Sequence, residues 1–148
     1  MFRKVVWATD GSDAADRALS VARQLAAEVD GEVLAVHCVE LTMPGKGGGR
    51  FSVYANEDEL EEKIERQLRD LKAAGVPARM RMARAAVGEA AHVIAEAAQE
   101  EGGDVIVVGT RGRSPLIGAL LGSVTQRLLH VAPCPVLAVP TRNGDRSD

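Results

Sequence analysis

The chain has 148 residues, 46% of them hydrophobic and 26% charged, with a formal net charge of -3. That length suits one domain with a substantial core, and the balance of charge excludes a global basic field of the kind that attracts nucleic acid. No run of about 18 apolar residues is present, so no membrane span is predicted; no signal-peptide pattern precedes the first strand, so the expected location is the cytoplasm.

Residues 3–9 predict a first strand. Asp10-Gly11-Ser12 is a turn and helix-start signal. Ala15, Ala18, Leu19, Ala22, Leu25, Ala26 and Val29 then recur at helical spacing, which predicts a helix over 13–29. Val33 to Val39 forms a second strand rich in β-branched residues. Leu41 to Asn56 has no period and holds Pro44, Gly45, Gly47, Gly48 and Gly49, so 41–56 is expected to be a flexible loop. Lys46 among glycines hints at a P-loop, but the spacing G-x4-G-K-[ST] is missing.

Leu60, Ile64, Leu68 and Leu71 mark a second helix over 57–74, with dense charge on its other faces. Ala78 to Ala83 alternates Arg79 and Arg81 with Met80 and Met82, as a half-exposed strand does. A third helix is predicted over 89–101, and the run 104–108 is apolar enough for a central parallel strand. A fourth helix follows Gly122, Pro133-Cys134-Pro135 stops it, and Val136 to Val139 forms a fifth strand before a polar tail, 141–148. Strands alternating with helices predict an α/β fold, a parallel five-stranded sheet covered on both faces. Cys38 and Cys134 fit no metal-ligand spacing and are expected to stay unbridged.

Gly109-x2-Gly112-x9-Gly122-Ser123 is the most informative pattern. Its first glycines stand at a strand's carboxyl end, and its Gly-Ser pair opens a helix. Glycine permits close backbone approach to a ligand, and a helix start offers unpaired N–H groups and partial positive charge to an anion. The result is a phosphate cradle. In doubly wound sheets such ligands bind at the carboxyl ends of strands near the switch point. Asp10, the segment Cys38-Val39-Glu40 and Gly109 all fall at such ends.

These segments, with Val5 to Ser12, Val36-His37-Cys38-Val39, Val87-Gly88 and Pro133 to Val139, resemble the universal stress protein family over nearly the whole chain. The resemblance implies a Rossmann-like single domain, 1–148, with strand order 3-2-1-4-5. It implies the ATP-binding branch, with ATP held together with Mg²⁺. Thr9 and Asp10 would lie at the adenine and ribose end, and Cys38 and Val39 at the adenine pocket, where the family typically has valine in place of Cys38. Val108, Gly109 and Gly112 would border ribose and phosphates, with Arg111 and Arg113 alongside. Gly122, Ser123 and Val124 would bind phosphates. The resemblance also implies a homodimer paired through Val136, Leu137, Ala138 and Val139.

No catalytic residue and no metal ligand is assigned. Besides Asp10 and Asp13 no carboxylate stands near the glycine motif, and phosphoryl transfer requires positioned metal ligands and a group to orient the nucleophile. Thr9-Asp10-Gly11-Ser12-Asp13 only echoes the S-G-G-x-D-S of ATP-pyrophosphatases, and the HIGH signature of nucleotidyl transferases is missing. The expected function is that of an ATP-binding regulatory stress-response protein whose nucleotide state modulates a protein partner that the sequence does not name. The alternative is a slow ATPase or nucleotidyl transferase of the same fold.

Overall fold

The computed structural model describes residues 1–42, 51–52, 56–111 and 121–140. In chain order the elements are β1 (Lys4–Ala8), α1 (Asp13–Glu28), β2 (Glu32–Thr42), β3 (Phe51–Ser52), α2 (Glu57–Ala73), β4 (Ala78–Ala86), α3 (Ala90–Glu100), β5 (Val105–Gly109), α4 (Ser123–Val131) and β6 (Val136–Val139).

Five of the strands are parallel, in the order β4-β2-β1-β5-β6. Chain order reverses at β1, whose neighbours are β2 on one side and β5 on the other. Because β-strand side chains alternate between faces, the sheet buries two separate apolar layers. Val5, Trp7, Val33, Ala35, Val105 and Val107 pack with α1 and α2, while Val6, Leu34, Val36, Ile106 and Val108 pack with α3 and α4. The alanines of α1 and α3 let both helices lie close to the sheet. Trp7, fully buried, satisfies its indole N–H on the Ala15 carbonyl of α1 at 2.8 Å.

Two features depart from the expected layout. The segment expected to be a loop over 41–56 begins in the sheet and rejoins it at Phe51 and Ser52. β2 runs on to Thr42, and β3 pairs antiparallel with its last two residues, Leu41 with Ser52 and Thr42 with Phe51. Because β4 occupies one edge of β2 as far as Leu41, β3 takes the other edge, past Val36 where β1 stops pairing. The glycine-rich stretch from Pro44 to Gly49 and the tail 141–148 lie outside the described residues. The second departure is at β4, which is longer than expected. Its Arg79 and Arg81 reach Glu100 and Glu101 at the end of α3, and the hydrogen bond from Arg79 holds the Glu101 carboxyl below the usual range. Charged side chains on an edge strand discourage pairing with another chain.

Candidate functional site

The carboxyl ends of β1, β2 and β5 meet the first turns of α3 and α4 around one crevice. It is a cleft partly open to solvent.

The β1 side is set by local hydrogen bonds. Thr9 continues β1 through its N–H to the Val36 carbonyl, at 3.0 Å. Its Oγ1 accepts from the Gly11 N–H at 3.1 Å, and Asp10 Oδ1 accepts from the Ser12 N–H at 2.9 Å. Such a turn suits Asp, whose short side chain reaches its own backbone two residues on. Gly11 completes it with φ +79. Ser12, rather than Asp10, caps α1 by accepting from the Ala15 N–H at 3.2 Å. The Lys63 ammonium of α2 donates to the Gly11 carbonyl and to Asp16, which braces the turn from outside.

The β5 side is built differently. A Cβ on Gly109 would stand 2.8 Å from the backbone of Ala14, so this glycine admits the first turn of α1 as well as lining the crevice. Its carbonyl accepts from the buried Thr125 hydroxyl at 2.7 Å. The Gly122 N–H donates to the Thr110 carbonyl at 2.6 Å. The first intrahelical bond of α4 runs from the Gln126 N–H to the Gly122 carbonyl, and no side chain caps this end among the described residues. Among the described residues, the N–H groups of Ser123, Val124 and Thr125 are therefore the donors of the first turn left without a partner. Where Ser12 satisfies α1, no side chain does so for α4 among the described residues, and the partial positive charge of that helix start lies at the crevice.

The β2 side carries carboxylates and a histidine. His37 is 2% exposed, with Nδ1 2.9 Å from the Thr9 carbonyl and Nε2 2.8 Å from Glu57 Oε2. Glu40 accepts from the Gly88 N–H at 3.2 Å. Burial, with help from Glu40 and Glu57, pushes the Cys38 thiol up to about 11, so it is an apolar wall group and not a nucleophile. Ala8, Ala90, Ile94 and Val108 complete an apolar lining. Donors thus gather at the α4 end, and acceptors at the β2 end.

Of the residues singled out from the sequence, Thr9, Asp10, Cys38, Val108 and Gly109 line this crevice, as do Arg111, Gly122, Ser123 and Val124. Val39 is not among the lining residues. Gly112 and Arg113 lie outside the described residues. His37, which its place in β2 marks as a structural histidine, Thr125, which its place in α4 sets beyond direct ligand contact, and Glu57, which nothing in the sequence singles out, line the crevice as well. A histidine inside an otherwise apolar strand end was the available signal for the first. Among the described residues no group of three His, Cys, Asp or Glu side chains could hold a metal ion, and no helix is long and apolar enough to cross a membrane.

Comparison with known proteins agrees with this architecture. The model of the universal stress protein family matches residues 1–140. A universal stress protein of Methanocaldococcus jannaschii, MJ0531, is 33% identical over 143 residues, which covers 94% of this chain and 82% of the relative. A crystal structure of a universal stress protein in complex with cAMP superposes with a TM-score of 0.68 at 27% identity, covering 95% of this chain and 98% of the other. The universal stress protein of Archaeoglobus fulgidus in complex with dAMP gives a TM-score of 0.65 at 27% identity, with 94% and 98% covered. With the family model matched over nearly its whole length, and that relative a third identical to it, the chain belongs to the universal stress protein family.

Proposed function

We propose that this protein is a single nucleotide-binding domain, 1–148, that takes ATP with Mg²⁺ into the crevice and works as a cytoplasmic regulatory module in stress response. The observation that carries this reading is that the N-terminus of α4, without a side-chain cap among the described residues, lines the same crevice as Asp10. Three backbone donors and a helix dipole suit a phosphate chain. Arg111 adds positive charge at the same end, and Gly112 and Arg113 belong to the same motif. Asp10 is an acceptor for ribose hydroxyls, and the wall of Ala90, Ile94, Val108 and Cys38 suits a base. Adenine nucleotides in two structural relatives, cAMP in one and dAMP in the other, support the ligand class. No cluster of protein ligands awaits a metal among the described residues, so Mg²⁺ would arrive on the phosphates, as this ion commonly does.

The same reading has the domain act as a homodimer joined along β6, with nucleotide occupancy altering contact with a protein partner. β6 pairs only β5 among the described residues, and Leu137 on it is 41% exposed. Calorimetric titration of nucleotide-stripped protein with ATP and Mg²⁺ tests the ligand. Measurable heat and a raised melting temperature are expected, and silence at millimolar ATP overturns the reading. Native mass spectrometry of the same sample reports the dimer mass and the bound nucleotide together. ADP accumulating in that sample would indicate a slow ATPase.

A further inference from the structure

The Gly11 carbonyl and the Ser12 N–H belong to one peptide group. A trans peptide is planar, and its carbonyl and N–H point in opposite directions. Both ends of this one are engaged. Its N–H donates to Asp10 Oδ1 at 2.9 Å, and its carbonyl accepts from the Lys63 ammonium at 2.9 Å. Rotation of this plane therefore breaks a bond that orients the Asp10 carboxylate. Gly11, with φ +79 and no Cβ, restrains that rotation least of all residues. The restraint has to come from outside the turn.

α2 supplies it twice. Leu60 lies against Gly11, where any Cβ would run into its Cδ2. Three residues on, Lys63 reaches the carbonyl. The ammonium is itself held in place. It also donates to Asp16 Oδ2 at 2.8 Å, and Asp16 Oδ1 accepts from Gln67 Nε2 at 2.8 Å. Lys63 and Gln67 stand four residues apart on α2, a spacing that puts them on one face, and Asp16 meets both from the first turn of α1. A cation on the carbonyl also polarises the peptide and makes the Ser12 N–H a stronger donor to the carboxylate.

We infer that Lys63 is a positioning residue that sets the Asp10 carboxylate for the ribose hydroxyls of a nucleotide, and so determines sugar specificity from outside the crevice. The inference rests on the nucleotide-binding reading above, which gives Asp10 the ribose. Lys63 is not among the residues that line the crevice, so it acts through the peptide and not on the ligand.

Exposure separates this role from a general one. The Lys63 and Asp16 side chains are 32% and 33% exposed, and an ion pair that open to water adds little to the stability of a domain. What it selects is the orientation of one peptide. Lys4 offers a built-in comparison at the opposite end of β1. Its ammonium likewise bonds one carbonyl, that of Glu101 at 2.9 Å, and one carboxylate, that of Glu32 at 3.2 Å. It is remote from the Asp10 turn.

The test compares ATP with 2′,3′-dideoxy-ATP, which lacks the ribose hydroxyls, by calorimetry with Mg²⁺ on the full chain. The unaltered protein should prefer ATP. In Lys63→Met, which keeps the reach of the side chain without its charge, that preference should fall roughly fivefold, the scale of one net hydrogen bond. The fall should come from ATP alone, with the affinity for dideoxy-ATP unchanged. Lys63→Arg should restore most of the preference, and Lys4→Met should leave it as it was. Loss of both affinities together in Lys63→Met, an unchanged preference there, or no preference in the unaltered protein overturns the inference. Amide exchange followed by NMR reads the turn without ligand. The Ser12 amide should exchange roughly fivefold faster in Lys63→Met, again the scale of one hydrogen bond, while those of Val6 and Ile106 keep their rates. A Ser12 amide indifferent to Lys63 also overturns the inference. If neither nucleotide binds the unaltered protein, the nucleotide reading fails and sugar selection with it, and the Ser12 amide still decides whether Lys63 sets the turn. If Lys63→Met does not fold, Asp16→Asn, which frees the ammonium from its carboxylate, is read in the same two ways and should move both in the same direction.

Discussion

Thr125 donates its hydroxyl hydrogen to the carbonyl of Gly109 across 2.7 Å of buried space. This bond joins the first turn of α4 to the last residue of β5, and so sets the separation of the two ends of the glycine motif. Thr125→Val removes the donor and leaves the carbonyl without it, which should cost about 1–3 kcal/mol of stability. Thr125→Ser should restore most of that. Urea denaturation of the three proteins measures the difference, and equal midpoints would mean the bond contributes nothing.

Gly122→Val should abolish nucleotide binding and leave the fold in place. Gly122 has φ -66 and ψ 156, extended backbone that any residue adopts, so angular strain plays no part. The added side chain would instead intrude where the unpaired N–H groups of α4 meet the crevice. Calorimetry should show no heat while the circular dichroism spectrum stays native. Unchanged affinity would move the phosphate site elsewhere.

Ser123→Ala should weaken ATP binding by roughly 1 kcal/mol or somewhat more, the loss of one charge-assisted hydrogen bond. The backbone donors of α4 survive this change. A full loss of binding would mean that the hydroxyl carries more than a single contact.

Cys38 and Cys134 are both free thiols. β1 and β5 lie between β2 and β6, which sets these strands roughly 14 Å apart at about 4.8 Å per step, beyond the roughly 7 Å between Cα atoms that a disulfide allows. Thiol titration of the denatured chain should count both. Burial raises the Cys38 thiol from 9.0 to about 11, which cuts its thiolate fraction at neutral pH about a hundredfold. Alkylation of Cys38 should therefore be slow at neutral pH and keep accelerating past the point where an ordinary thiol levels off. The fold prefers the protonated form, so Cys38 contributes stability that is present below about pH 9 and lost as pH climbs toward 11. Bound nucleotide should slow the alkylation further, and rapid labelling at neutral pH would contradict the burial.

The double variant Leu137→Lys, Val139→Lys should give monomers or insoluble protein. β6 is a short apolar edge whose Pro135 and Pro140 limit any pairing to the residues between them. Light scattering on the purified variant decides, and a well-behaved dimer would place the interface on another face.

Much of this architecture could be read from local pattern. Val105 to Val108 announces a central strand because it is apolar on both faces, and the alanine and leucine spacing of the helices repeats every turn. The placement of Asp10, Gly109 and Ser123 around one crevice followed from strand order and from the rule that ligands gather at strand ends. What escaped depends on partners distant in sequence. Phe51 and Ser52 are too few to show a period, and their pairing with Leu41 and Thr42 spans the glycine-rich stretch. A buried histidine reads the same whether its ring nitrogens meet water, ligand or carboxylate, so nothing local announced Glu57 as the partner of His37. The contrast between Cys38 and Val39 was within reach, because successive strand residues point to opposite faces.

The collision that a Cβ on Gly109 would make with Ala14 separates two reasons for keeping a glycine. Any side chain at 109 displaces the first turn of α1 whether or not a nucleotide is ever bound, so a descendant that abandoned its ligand would still be obliged to retain this residue. Gly122, with ordinary backbone angles, carries no such obligation from its own conformation. A drift away from glycine at 122, with 109 intact, is the signature by which loss of the ligand would first become visible.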